Sequence, residues 1–150
     1  MSCILTISGK NFDVDSFIKK SKLKPYKISY RGQPKLKSKP KGDKLSFSLL
    51  SIEASKADFS DFKKQVSDTI RYLKRNRGRL AHVNVTKGID HAVLDFGIDL
   101  RIDRENVLYQ SDKFPSHLLK LAGELGFDIE ISIYPKDMQS ILQEKTKNSE

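Results

Sequence analysis

The chain has 150 residues, 37% hydrophobic and 31% charged, with a formal net charge of +9, one cysteine and no tryptophan. A chain of this length suits one domain with its own core. A single Cys3 excludes an intramolecular disulfide or a cysteine-rich metal cluster, which fits a reducing, cytoplasmic setting. No basic region followed by an apolar run marks a secretory leader, and no stretch approaches the ~20 apolar residues that span a bilayer, so no membrane association is expected.

The first expected element is a strand, with Cys3, Leu5 and Ile7 on one face and Gly9 at its end. Asp13 is placed to cap a short helix that buries Val14, Phe17 and Ile18. Tyr26, Ile28 and Tyr30 then alternate with Lys27, Ser29 and Arg31, which predicts a strand apolar on one side and basic on the other. Gly32 and Pro34 break it. The segment QPKLKSKPKGD, residues 33–43, is too polar to bury a face and reads as an exposed loop.

A two-sided, central strand is expected from Leu45 to Ala54, with Leu45, Phe47 and Leu49 on one face and Leu50 and Ile52 on the other. Phe59, Phe62, Val66, Ile70 and Leu73 follow at helical spacing and predict the clearest amphipathic helix, ending before Gly78. Ala81, Val83 and Val85 alternate as in a strand. Gly88 turns it, and Leu94, Phe96, Ile98, Leu100 and Ile102 form the longest alternating run, so the two are expected to pair as a hairpin. A helix starting near Pro115 buries Leu118, Leu121, Ala122 and Leu125 and stops at Gly126. Phe127, Ile129, Ile131 and Ile133 form the last strand, before a polar tail with a helical turn around Met138 to Leu142.

The expected order is β-α-β-β-α-β-β-α-β. Each helix has one apolar stripe, which asks for an α+β fold: a single mixed or antiparallel sheet, ferredoxin-like in spirit, with helices on one face. Residues 1–135 form the domain and 136–150 the tail.

The opening ISGKNFDVDSFIKKSKLKPYKISYRGQP and the closing FPSHLLKLAGELGFDIEISIY resemble an uncharacterised bacterial domain-of-unknown-function family of small α+β proteins. The likeness spans most of residues 4–134 and rests on turn and core signatures, so it implies a fold and no established activity. Some comparable domains serve as immunity proteins beside secreted toxins. The resemblance therefore points to a specific protein partner, such as a toxin.

Charge placement is the sharpest functional signal. Between Lys19 and Lys44 eleven basic residues stand against one acid, Asp43, while the rest of the chain is nearly neutral. A second basic cluster, Arg71, Lys74, Arg75, Arg77 and Arg79, closes the long helix, where cations also suit the helix dipole. Residues 90–130 are acidic, with nine acids against four bases, so the molecule is polarised. Such polarity steers a charged partner and equally favours a homodimer. The expected partner-contacting residues are Lys27, Arg31, Lys35, Lys37, Lys39 and Lys41, assisted by Arg75, Arg77 and Arg79. Tyrosines beside cations also suit single-stranded nucleic acid or another polyanion, although no recognised nucleic-acid motif is present.

Other clusters read as structural. Asp95, Asp99 and Asp103 are about 13 Å apart at each step along a strand, too far to share one cation. His82, His91 and His117 lack metal-ligand spacing, although His82 or His91 could approach a carboxylate as an acid–base pair. No nucleophile elbow is present, and Cys3 reads as a core residue. A non-enzymatic binding module with no catalytic set, metal or cofactor is expected.

Overall fold

The computed structural model describes residues 2–103 and 105–135. The expected tail at 136–150, with its helical turn, lies outside the described residues. In chain order the elements are β1 (Cys3–Gly9), α1 (Val14–Ser21), β2 (Lys27–Ser29), β3 (Ser48–Ser55), α2 (Phe62–Arg75), α3 (Arg77–Leu80), α4 (His82–Val85), β4 (His91–Asp99), α5 (Ser116–Glu124) and β5 (Asp128–Tyr134). They form an α+β fold around one five-stranded mixed sheet ordered β2-β3-β1-β4-β5. The first four strands pair antiparallel, and β5 runs parallel to β4. Through β4 this is the interleaved βαβ arrangement of ferredoxin-like folds, with α5 and β5 appended at one edge.

Strand alternation sets the two faces. Leu5 lies beside Ile52 on one side and Leu94 on the other, and Ile7 lies beside Leu50 and Ala92. These side chains are buried with Phe17 of α1, Val66 and Leu73 of α2, and Leu118 and Leu121 of α5 in one continuous core. At one end of that core Phe62, Phe96 and Phe114 meet edge to face, with ring centroids 5.1–5.9 Å apart. The other face carries Thr6, Ser51, Glu53, Asp95 and Glu130 by the same alternation.

Local signals explain the helix ends. Asp13 accepts the Ser16 N–H at 3.0 Å and caps α1, and Asp61 accepts the Lys64 N–H at 3.0 Å and caps α2. Gly126 follows α5 at φ 72°, where a side chain would also meet the Asn84 amide.

Several expectations need correction. Residues 81–85 are helical, not a strand: Leu80 and Val83 are buried one turn apart while Val85 is 76% exposed. The hairpin expected between this segment and residues 94–102 therefore does not exist, because β4 takes β1 and β5 as neighbours. β4 ends at Asp99, and Leu100 and Ile102 lie beyond it, half exposed. β3 starts at Ser48 rather than Leu45, though it is central as expected, and α2 starts at Phe62, leaving Phe59 in the preceding loop. The strand expected over Tyr26 to Arg31 shortens to Lys27–Ser29 at the sheet edge, and its apolar residues Tyr26, Ile28 and Tyr30 are exposed. The order becomes β-α-β-β-α-α-α-β-α-β.

Candidate functional site

The segment expected as a lysine loop is an ordered extension of the β2–β3 hairpin. Gly32 N–H donates to the Leu45 carbonyl, Leu45 N–H to Gln33, and Lys35 N–H to Asp43, each at 2.8 Å. Turns from Leu36 to Lys39 and from Lys39 to Gly42 close the tip. Lys35 also meets the Asp43 carboxylate at 3.8 Å, a surface pair of small energetic weight. Lys35, Lys37, Lys39 and Lys41 are exposed on this tip, so self-repulsion is met by backbone pairing.

Lys27 sits on β2 itself and is exposed. Arg31 is anchored, its guanidinium donating to the Lys10 carbonyl at 3.3 Å and to Asn11 Oδ1 at 3.4 Å. Tyr30 is also engaged: its hydroxyl donates to Asp15 at 2.8 Å, and that bond pushes its pKa up.

The helical basic cluster splits. Arg77 turns away to pair with Glu124 of α5 at 2.7 Å. Arg75 and Arg79 instead line two adjoining hollows between α2 and the β3 side of the sheet. The first, about 460 Å³, is lined by Glu53, Lys56, Asp68, Arg71, Tyr72 and Arg75 among others. The second, about 370 Å³, is lined by Lys24, Pro25, Tyr26, Tyr72 and Arg79 among others. Glu53, Tyr72 and Asn76 are common to both, so the two form one groove.

The helical period builds this groove. Arg71 and Arg75 are four apart, on the same side of α2, and the turn at Asn76 brings Arg79 alongside. Burial pushes the Tyr72 phenol up to about 12, against the opposing effect of Arg79, and burial also raises Tyr26. Both tyrosines are neutral, amphipathic walls at neutral pH. The floor is not uniformly basic. Asp68 takes the Ser55 hydroxyl at 3.1 Å, Lys64 at 3.4 Å and Arg71 at 3.1 Å, and Glu53 pairs with Lys56 at 3.4 Å.

The structure thus joins Arg75 and Arg79 to Lys24 and Tyr26, which precede Lys27, while the tip lysines occupy the far end of the same hairpin. Sequence reasoning missed Lys24, Tyr72 and Glu53 as groove residues. The i, i+4 spacing of Arg71 and Arg75 was the one available clue.

The remaining clusters do not assemble. Among the described residues, no group of three or more His, Cys, Asp or Glu is placed to hold a metal ion. Asp95 accepts from the Ser132 hydroxyl at 2.8 Å, and Asp103 caps the turn at Glu105 at 2.9 Å. His82 on α4 is half-buried, and His91 on β4 and His117 on α5 are exposed. Cys3 is fully buried, and desolvation raises its thiol pKa to about 12.

The fold and groove define a small α+β domain with a mixed-charge, arginine- and tyrosine-walled surface. A family model described as Domain of unknown function (DUF4279) matches residues 1–136, and the chain belongs to that family. No curated protein and no solved structure matches it.

Proposed function

We propose that this domain is a non-enzymatic binding module that docks an acidic protein partner along the β2 edge, through the Arg71–Arg75–Arg79 groove and the lysine tip. One observation carries the reading: arginines and tyrosines converge there around carboxylates that already have partners. Arg and Tyr are the side chains that concentrate binding energy at protein interfaces. Lys24, Lys56, Arg71, Arg75 and Arg79 outnumber Glu53 and Asp68, so the groove favours a partner of negative potential.

A nucleic-acid backbone suits the groove less well. Glu53 and Asp68 repel phosphate, and Tyr30, on the same hairpin as the tip, already spends its hydroxyl on Asp15. The family resemblance adds support for a protein partner of the toxin kind, met in the cytoplasm.

The test is affinity capture from the native cell with the wild-type chain and an Arg75→Glu/Arg79→Glu variant, followed by direct titration of the captured protein. The expected partner is acidic, survives moderate salt and is lost by the variant. Oligonucleotide binding that weakens log-linearly with salt, and is abolished by charge reversal at Lys35, Lys37, Lys39 and Lys41, would replace this reading with the polyanion one.

A further inference from the structure

The two edges of the sheet are built differently. β2 is three residues long, begins two residues after Pro25, carries Lys27 and runs into the lysine tip. Shortness, proline and lysine are the means by which natural sheets discourage further pairing. β5 has none of these. Its seven residues hold no Lys, Arg or Pro, its register with β4 is unbroken, and Ile131 and Ile133 are 42% and 57% exposed. An edge of this kind promotes pairing unless it is used.

Backbone direction settles which groups are offered. The Tyr134 carbonyl accepts from the Leu100 N–H at 2.7 Å, so Tyr134 faces β4. Alternation turns Ser132 and Glu130 the same way, and points the N–H and C=O of Ile129, Ile131 and Ile133 outward.

The side-chain order fits a second copy of the chain. Antiparallel pairing about a two-fold axis at Ile131 sets Ile131 opposite its counterpart, Ile129 opposite Ile133, Glu130 opposite Ser132 and Asp128 opposite Tyr134. Every outward backbone group then falls in a pair that exchanges both hydrogen bonds. Isoleucine meets isoleucine along one face, and no carboxylate faces another.

Neighbouring registers fail. An axis at Glu130 opposes the two Glu130 carboxylates, and an axis at Ser132 sets Ile129 against Pro135, which has no N–H to donate. Beside the strand, Ile98, Leu100 and Ile102 line a hollow with Ile131 and Ile133, widening the apolar strip at the junction. The geometry points to homodimerisation through β5, two copies pairing β5 to β5 about a two-fold axis at Ile131 to make one continuous sheet. This surface is separate from the β2-edge groove, at the opposite side of the sheet.

Light scattering after gel filtration, with sedimentation equilibrium from low micromolar to near-millimolar chain, tests the proposal. The wild-type chain is expected at twice its 17.1 kDa mass. Ile131→Lys and Ile131→Glu chains, each placing like charges across the axis, are expected at single-chain mass, and an equimolar mixture of the two recovers the doubled mass. A wild-type chain that stays at 17.1 kDa throughout, a dimer that persists in both variants, or a mixture that stays monomeric would overturn it.

If circular dichroism shows the variants unfolded, amide exchange of the wild-type chain decides instead. Ile129, Ile131 and Ile133 amides are expected to gain protection together as concentration rises. Exchange that is independent of concentration overturns the proposal.

Discussion

Gln65 is the buried side chain whose loss is most readily worked out. It is fully enclosed on α2, and its Nε2 donates to the Gly97 carbonyl at 2.8 Å and to the Asp58 carbonyl at 3.1 Å. One amide thereby ties the helix to the end of β4 and to the loop that precedes α2. Gln65→Leu keeps the volume and removes both donors. Stranding the buried Gly97 carbonyl costs about 1–3 kcal/mol, and losing the partly exposed Asp58 bond adds about 0.5–1.5 kcal/mol. Relief from burying the amide oxygen offsets part of this, leaving a net loss of about 2–3 kcal/mol. For a chain of this length that lowers the melting temperature by about 4–12 °C.

Thermal melts followed by circular dichroism read the change, and Gln65→Glu supplies the control. At neutral pH its carboxylate would face two carbonyl oxygens with no donor, so it should destabilise more than Leu. Burial raises the folded-state pKa of that carboxyl, so the favourable protonated form is present below the unfolded pKa and lost as pH rises. The glutamate variant should therefore regain stability on mild acidification, relative to wild type. A leucine variant melting within a degree of wild type, or a glutamate variant indifferent to pH, would refute the role assigned to Gln65.

Two further outcomes follow from the same end of the molecule and from the core. A Cβ at Gly97 would lie 2.9 Å from the Phe59 ring, which itself stacks on Tyr134 at 5.0 Å. Gly97→Ala is expected to cost about 1–3 kcal/mol in wild type and clearly less in a Phe59→Leu background, measured by denaturant melts of the double-mutant cycle. Alkaline conditions should weaken the fold, because Cys3 rises from 9.0 and Tyr72 from 10.0, each to about 12. The folded chain keeps protons that the unfolded chain releases, so this stabilisation is complete below about pH 9 and lost as pH approaches 12. Pulse-labelling Cys3 with a thiol reagent at neutral pH should give no reaction in the folded chain and full reaction in denaturant; rapid native labelling would contradict its burial.

Elements whose signals are local were legible in the sequence. Asp13 as a cap, the glycine stop at Gly126 and the stripe through Phe62, Val66, Ile70 and Leu73 each depend on near neighbours in the chain. Residues 81–85 misled because three small or β-branched side chains alternate by chance. What decides that segment is the burial of Leu80 and Val83 at helical spacing, which depends on neighbouring elements.

The same dependence hid the edges of the sheet. Nothing within Tyr26–Tyr30 or Ile129–Ile133 says that the strand is outermost, so neither edge was legible from its own residues. The clusters of charge were visible residue by residue. That Arg75 and Arg79 join Lys24 while Arg77 leaves for Glu124 is a matter of helix phase and of the turn at Asn76.

The position of β1 has a kinetic side. It precedes the other four strands in sequence yet occupies the middle of the sheet, with Leu5 held between Ile52 and Leu94. During synthesis it can zip onto β3 early, but its other flank stays unsatisfied until β4 has left the ribosome. Closing that second ladder joins distant parts of the chain, the kind of contact that slows folding. A nascent chain paused before residue 91 would therefore display a half-dressed apolar strand, and that interval is when this domain depends most on being shielded from its neighbours.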